Sequence, residues 1–145
     1  MSRIYLAGPL FCVAELEYNM SLKEYMAENG EELVLPQECG ADIDPRMMGS
    51  PDCAFSKAKE VFGKDLGLLD SCDALVMNLD GRVPDEGACV ELGYAFARGK
   101  PCFGIKTDVR AAEYGIDNMM VGGALGGKIA RSREELVSML RDAGL

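Results

Sequence analysis

Short apolar runs alternate with longer stretches of helical periodicity along this chain. The apolar runs, typical of buried parallel strands, cover residues 4–7, 33–35, 74–79 and 101–105, and residues 128–130 predict a short fifth strand. Apolar positions recur at helical spacing over residues 10–29, 51–70 and 85–98, and Ser132 is placed to cap a final helix. This order predicts an α/β fold with one domain over residues 1–145. We expect a doubly wound, flavodoxin- or Rossmann-like sheet of about five mainly parallel strands, with helices on both faces.

Two segments carry no such pattern. Residues 37–52 predict a long irregular loop, and residues 107–127 form a region rich in glycine and methionine. Loops of this length in compact domains usually carry function. We therefore expect both segments to influence which substrate the protein accepts.

Two carboxylates interrupt the apolar stripes of the predicted helices. Glu91 lies on the same face of helix 85–98 as Ala88, and Asp65 interrupts the stripe of the preceding helix. An unpaired buried carboxylate is unfavourable, so each one either has a task or lies at the margin of its stripe in contact with solvent. The pattern leaves both interpretations open. Asp85 stands just before a helix, where Asp is a favoured N-cap.

The composition narrows the chemistry. A formal net charge of -9 argues against a nucleic-acid partner, because phosphates are bound by Lys and Arg. The absence of histidine removes the commonest general base, so acid-base chemistry must fall to carboxylates, Tyr, Lys or Cys. Six cysteines without a C-x-x-C pair indicate a reduced, cytoplasmic protein. No apolar stretch approaches the roughly 18 residues of a membrane span, so we expect no membrane partner.

The nucleotide-binding signatures of this fold class are missing. Neither Gly-x-Gly-x-x-Gly nor a Walker-type loop follows the first strand, which disfavours nicotinamide and ATP chemistry. Parallel sheets bind ligands beyond the carboxyl ends of their strands, where Tyr5, Asp85, Glu91 and the loop 8–11 should converge. Carboxylate chemistry on a neutral substrate points to glycosyl transfer, without metal or cofactor.

The motifs at these positions resemble a known family, the nucleoside 2-deoxyribosyltransferases. The resemblance spans nearly the whole chain and rests on the order of its parts. They are Ile4-Tyr-Leu-Ala-Gly-Pro-Leu-Phe11, Asp65 upstream of Asp73-Ala-Leu-Val, Asp80-Gly-Arg-x-x-Asp-Glu-Gly-x-x-x-Glu-Leu-Gly-Tyr-Ala95, Gly99-Lys-Pro101 and Asp117-Asn118.

The resemblance implies roles for the acidic residues. Glu91 matches the nucleophile, which displaces the base of a 2'-deoxynucleoside and forms a covalent deoxyribosyl-enzyme that a second base resolves with retention. Tyr5 matches the tyrosine that holds this carboxylate. Asp65 and Asp85 match two aspartates of the pocket, of which we expect Asp65 to protonate the base and Asp85 to serve there or to hold a sugar hydroxyl. The helix N-terminus and the Tyr5 hydrogen bond should favour ionised Glu91.

The same resemblance implies substrate-binding positions. Gly8 and Gly87 belong to its two glycine-containing loops, Phe11 matches an aromatic residue that packs against the base, and Gln37 follows a strand where some relatives place a base-reading side chain. Asn118 matches a residue that enters the site of a neighbouring subunit, which implies a homo-oligomer, at least a dimer. The expected ligands are a 2'-deoxynucleoside and a free nucleobase.

Two other functions remain open. A nucleoside or deoxynucleotide N-glycosidase would use the same residues with water as the acceptor. A non-catalytic nucleoside-binding sensor could share the fold, because a fold does not specify a function. The choice between purine and pyrimidine bases also stays open.

Overall fold

The computed structural model describes residues 1–39, 51–111 and 114–145. Its sheet contains five parallel strands, β1 (Arg3–Ala7), β2 (Glu32–Val34), β3 (Ala74–Asn78), β4 (Cys102–Ile105) and β5 (Ile129–Ala130), in the order β2-β1-β3-β4-β5. The helices are α1 (Val13–Glu28), α2 (Pro51–Asp70), α3 (Glu86–Ala97), α4 (Met119–Leu125) and α5 (Arg133–Asp142), and a 3₁₀ helix covers Pro36–Glu38. The predicted α/β class, parallel sheet and doubly wound topology are confirmed.

Helices cover both faces of this sheet. Alternate side chains of a strand point to opposite faces, so Ile4 and Leu6 pack with α1 and α5. Tyr5 and Ala7 point the other way, into the layer formed with α2, α3 and α4. One core therefore lies on each face of β1, and the side chain of Tyr5 points to the face covered by α3.

The strand order reverses direction between β1 and β3. From β1 the chain continues to β2 on one side, whereas β3 continues to β4 on the other, and ligands bind at such a switch point beyond the carboxyl ends of the strands. Gly8 follows β1 at this point, and a Cβ at Gly8 would lie 2.8 Å from the Cβ of Asn78. The close approach of these two strand ends therefore requires glycine.

Several predicted boundaries were wrong. The first helix begins at Val13 and not at residue 10, because the Glu15 carboxylate accepts the backbone N–H groups of Phe11 and Cys12 and holds them outside the helix. The predicted strands 33–35, 74–79, 101–105 and 128–130 are displaced or shortened by one residue.

The two segments without a pattern contain short helices. The region 107–127 includes α4, whose glycines hid its helical character. Residues 36–38 form the 3₁₀ helix, residues 51 and 52 of the predicted loop 37–52 belong instead to the first turn of α2, and residues 40–50 lie outside the described residues. None of the helices in the described part of the chain has the length and apolarity needed to cross a membrane.

Candidate active site

A hydrogen bond between β1 and α3 forms the centre of the candidate site. The hydroxyl of Tyr5 donates to Oε1 of Glu91 at 2.6 Å. The Tyr5 residue is fully buried, whereas Glu91, in the second turn of α3, keeps part of its side chain accessible. Glu91 is therefore neither a solvated surface acid nor an unpaired buried one, which resolves the two interpretations left open by its position.

Burial dominates the electrostatics of this pair. It raises the pKa of Glu91 from 4.5 to about 7, the hydrogen bond from Tyr5 opposes this rise, and the charges of Asp65 and Asp85 add to it. Burial and the charge of Glu91 also raise the pKa of Tyr5, so its hydroxyl remains a donor. The expected lowering of the Glu91 pKa by the Tyr5 hydrogen bond is present, but desolvation by burial is larger, so the pKa rises overall.

Asp65 faces Glu91 across a cleft of about 370 Å³ between α2 and α3. Its carboxylate makes no hydrogen bond to any residue in the described ranges, and burial raises its pKa. The cleft is also lined by Gly87, Lys57 and Phe62. Two carboxyl groups whose pKa values are both raised by burial thus share one cavity.

Asp85 caps α3, as its position before the helix predicted. Its Oδ2 accepts the backbone N–H of Ala88 at 2.8 Å. A Cβ at Gly87 would lie 3.2 Å from the same oxygen, so glycine leaves room for the cap. The charge of Asp85 contributes to the raised pKa of Glu91, which is the expected coupling between these acids.

Two loops at the same edge are joined by a reciprocal set of hydrogen bonds, the Asp80–Asp108 clasp. The Asp80 carboxylate accepts the backbone N–H groups of Thr107 and Asp108 at 2.7 and 2.8 Å and the Thr107 hydroxyl at 2.7 Å. In return, Asp108 accepts the N–H of Gly81 at 3.2 Å. No pattern in the sequence predicts these hydrogen bonds. Asp80-Gly81 directly after a strand indicates a turn. Its neighbours in the sequence do not show that the loop containing Thr107 and Asp108 lies opposite this turn.

The aromatic residue that lines the cleft of Glu91 is Phe62, on α2. The exposed fraction of Phe11 is 77 %, and this side chain does not line the cleft of Glu91. Phe62 lies on the apolar stripe of α2, and it forms part of the cleft wall. The pattern missed it because a stripe does not distinguish a core from a cleft wall.

The remaining predicted positions lie around this centre. Gln37 lies on the 3₁₀ helix after β2, and its Oε1 accepts from Asn19 at 2.9 Å. Asn118 caps α4 by accepting the N–H groups of Met120 and Val121. It lines a separate apolar groove of about 790 Å³ between α3 and α4, not the cleft of Glu91. The buried pair of Lys106 and Asp117 anchors the chain just before it.

Comparison with known proteins decides the family. The model of the family described as nucleoside 2-deoxyribosyltransferase matches residues 4–133. The chain belongs to this family. An uncharacterized protein of Schizosaccharomyces pombe, C191.05c, is 34% identical over 112 residues, which cover 74% of this chain and 51% of the relative. The chain therefore spans about half the length of this curated relative.

Two solved structures share the family fold. A conserved protein from Enterococcus faecalis V583 has a TM-score of 0.75 at 27% identity, with 99% of both chains covered. A 2-deoxyribosyltransferase from Bacillus psychrosaccharolyticus has a TM-score of 0.67 at 24% identity, covering 86% of this chain and 82% of that one. The resemblance inferred from the motifs is thereby confirmed at the level of family and fold.

Proposed function

We propose that this protein transfers a 2-deoxyribosyl group between nucleobases, through a covalent intermediate on Glu91 and with retention of configuration. The observation that carries the proposal is the Tyr5–Glu91 hydrogen bond beside Asp65 in one cleft. Membership of the nucleoside 2-deoxyribosyltransferase family supports the reaction class. An ordinary core position in α3 would not hold a carboxylate against a buried tyrosine.

In the first step, Glu91 attacks C1' of the nucleoside. Because Tyr5 occupies Oε1, Oε2 is the oxygen left to form the bond to C1'. The bond between C1' and the base nitrogen breaks, its electron pair stays on the base, and Asp65 supplies the proton that neutralises the leaving base. With a pKa of about 7, Glu91 is partly ionised at neutral pH, and burial raises the pKa of Asp65, the group that we propose to carry the proton.

In the second step, an incoming base reverses this chemistry. Its nitrogen attacks C1' from the face that the first base left, the C1'–Oε2 bond breaks, and Asp65 accepts the proton released by the incoming base. Two displacements at one carbon restore its configuration, which is the retaining logic of paired carboxylates. Asp85 would hold a sugar hydroxyl near the start of α3, while its cap on Ala88 fixes its position.

The substrates we propose are a neutral 2'-deoxynucleoside and a free nucleobase, without a cofactor. The net charge of -9 and the acidic residues of the site disfavour a phosphorylated substrate. We place the reaction in the cytoplasm, because six cysteines without a C-x-x-C pair suit a reducing compartment.

Asn118 supports an oligomer of at least two chains. It lies outside the cleft of Glu91, in the groove between α3 and α4 that also contains Met119, Met120 and Phe96. Three of these groove residues are exposed apolar side chains. We propose that a second copy covers this groove and that Asn118 then completes the neighbouring site.

Base exchange is the direct test. Purified protein is mixed with deoxyinosine, with and without adenine, and products are separated by chromatography. We expect deoxyadenosine only when adenine is present, and a protein mass increased by one deoxyribosyl unit after deoxyinosine alone. Glu91→Ala should abolish both, whereas Glu86→Gln, an exposed acid on the same helix, should retain them.

The other outcomes identify the rival functions. Free hypoxanthine without deoxyadenosine would make the protein a hydrolase, with water as the acceptor. Tight binding of deoxyinosine without any product would favour a sensor. Exchange that survives Glu91→Ala would refute the assignment of the nucleophile.

A further inference from the structure

Lys57 is a charged residue of the Glu91 cleft that the mechanism above does not use. It lines this cleft together with Asp65 and Glu91, and it is the only positively charged residue among the described residues of the lining. Only 25% of its side chain is exposed. The cleft wall around it is mostly apolar and includes Phe62. A cation drawn into an acidic and apolar cleft needs an oppositely charged partner or a ligand.

The partner of Lys57 is Glu60, which does not line the cleft and which Lys57 shares with a second lysine. Nζ of Lys57 lies 3.2 Å from Oε2 of Glu60, and Nζ of Lys64 lies 3.2 Å from Oε1 of the same carboxylate. The side chains of Glu60 and Lys64 are 47% and 51% exposed, and ion pairs in contact with solvent contribute little to stability. Because Lys64 continues to neutralise Glu60, Lys57 can release this carboxylate and turn towards a ligand at small cost.

The position of Lys57 along α2 corresponds to the part of the ligand that lies farthest from Glu91. Lys57 and Asp65 are eight residues apart on this helix, which is about 12 Å along its axis. In the mechanism proposed above, Asp65 protonates the base while Asp85 holds the sugar near the start of α3. The base then extends along α2 from Asp65 towards Lys57. The flexible four-carbon stem of lysine allows its ammonium group to reach the far edge of the base.

The chemistry of an ammonium group determines which edge it can bind. Lysine only donates hydrogen bonds, so its partner on the base must be an acceptor. When the C1'–N bond breaks, its electron pair moves onto the base, and in a base with a ring carbonyl part of this charge reaches the carbonyl oxygen. A cation at that oxygen is therefore bound more tightly in the transition state than in the ground state. An amino group in the same place offers only N–H donors, which an ammonium group cannot pair with.

We propose that Lys57 is a catalytic residue that binds a carbonyl oxygen of the departing base and stabilises the negative charge that develops there. Asp65 still supplies the proton to the base nitrogen, and Lys57 keeps its own protons throughout. The cleft should then release a base with a carbonyl oxygen at its far edge faster than the analogue with an amino group. The inference rests on the proposed function, because it takes the ligand to be a deoxynucleoside whose base departs.

The ratio of kcat values for two donors measures this role. Deoxyinosine and deoxyadenosine differ by the replacement of a carbonyl oxygen with an amino group, and both are assayed with the same third base as acceptor. Lys57→Met keeps the length of the side chain but removes its charge, so the ratio of deoxyinosine to deoxyadenosine should fall by about tenfold or more, through kcat more than through KM. Lys57→Arg keeps the charge and should retain most of the ratio. Deoxyuridine and deoxycytidine form a second pair with the same replacement.

Lys64→Met is the matched control. Lys64 lies on the same helix and pairs with the same Glu60 carboxylate as Lys57, but it does not line the cleft. This variant should keep the wild-type ratio. If Lys57 served only to hold Glu60, the two variants would behave alike. An unchanged ratio in Lys57→Met, or an equal loss for both donors of a pair, would overturn the proposal.

The experiment also distinguishes this inference from the proposed function. If wild-type protein exchanges bases and Lys57→Met keeps its ratio, only the role of Lys57 fails. If the protein hydrolyses deoxynucleosides without exchange, the transferase fails, but the ratio of the two hydrolysis rates tests Lys57 in the same way because the same C1'–N bond breaks. If neither donor reacts, both proposals are refuted, since no base departs for Lys57 to stabilise.

Discussion

Replacing Glu91 with Gln should stabilise the protein at alkaline pH. The folded state raises the pKa of Glu91 from 4.5 to about 7, so it favours the protonated carboxyl group. The stability that this group contributes is fully present below pH 4.5 and is lost as the pH rises through 7. Glutamine is neutral at every pH and can still accept the Tyr5 hydrogen bond, so it avoids the loss.

The size of the effect follows from the two pKa values. A rise from 4.5 to about 7, at about 1.4 kcal/mol for each pKa unit, sets an upper limit of about 3 kcal/mol. Part of Glu91 is accessible from the cleft, so solvent reduces this figure, and we expect about 1–3 kcal/mol at pH 8. For a chain of this size, that corresponds to a melting temperature higher by about 3–10 °C.

Urea denaturation at several pH values is the appropriate assay. The unfolding free energies of wild-type protein and Glu91→Gln should nearly coincide at pH 4.5 and diverge progressively up to pH 8. Glu24→Gln, on the exposed side of α1, provides a control that should give no such divergence. A difference between Glu91→Gln and wild type that is the same at pH 4.5 and pH 8 would refute the raised pKa on which the reasoning depends.

Three further predictions concern the same site. Activity should rise through pH 7 as Glu91 ionises, and Tyr5→Phe, which removes the hydrogen bond that lowers its pKa, should move this acid limb of kcat/KM upward by about one pH unit. Asp85→Asn should keep the helix cap and hold stability within about 0.5 kcal/mol in urea denaturation, yet lower kcat/KM about tenfold because the charged acceptor is lost. Gly8→Ala should lower both activity and unfolding free energy, the latter by about 1–3 kcal/mol, because its Cβ would collide with Asn78.

Each of these predictions has a contrary outcome. An acid limb that stays in place in Tyr5→Phe would mean that another group controls it, and full activity of Asp85→Asn would limit Asp85 to capping. For Gly8→Ala the matched control is Gly67→Ala, at an exposed position of α2 with nothing within 4 Å of the added carbon. That variant should gain about 0.5–1 kcal/mol, and equal behaviour of the two would contradict the close approach at Gly8.

The sequence was most informative where one local rule governs one position. The α3 stripe identified Glu91, and the residue before the helix identified the Asp85 cap, because helical spacing and capping depend on neighbours in the chain. The alternation of strands and helices likewise sufficed for the parallel sheet. The partner of Glu91 is 86 positions away: the rule for parallel strands placed Tyr5 at the same edge of the sheet, but only the family resemblance paired it with Glu91.

The remaining features depend on contacts across the fold. Whether Glu91 is ionised depends on how completely α2 and α3 exclude water. The spacing of apolar residues along the sequence does not show this. The helix α4 was missed because its glycines favour other conformations, while its Asn118 cap and its packing against α3 stabilise it. The link from Pro9 through Asn19 to Gln37 joins three separate segments, so local pattern could not reveal it.

Asp108, in the Asp80–Asp108 clasp, loses its charge at a much lower pH than Glu91. Arg110 pairs with the Asp108 carboxylate and holds its pKa well below the usual range, far from the interval in which Glu91 titrates. Mild acidification therefore protonates Glu91, the proposed nucleophile, while Asp108 stays charged and continues to hold the loop that leads into α3. If the proposed transfer activity depends on ionised Glu91, it should be lost and regained over this range with the loop contacts of Asp108 intact, so acid inactivation should reverse as soon as the pH is restored.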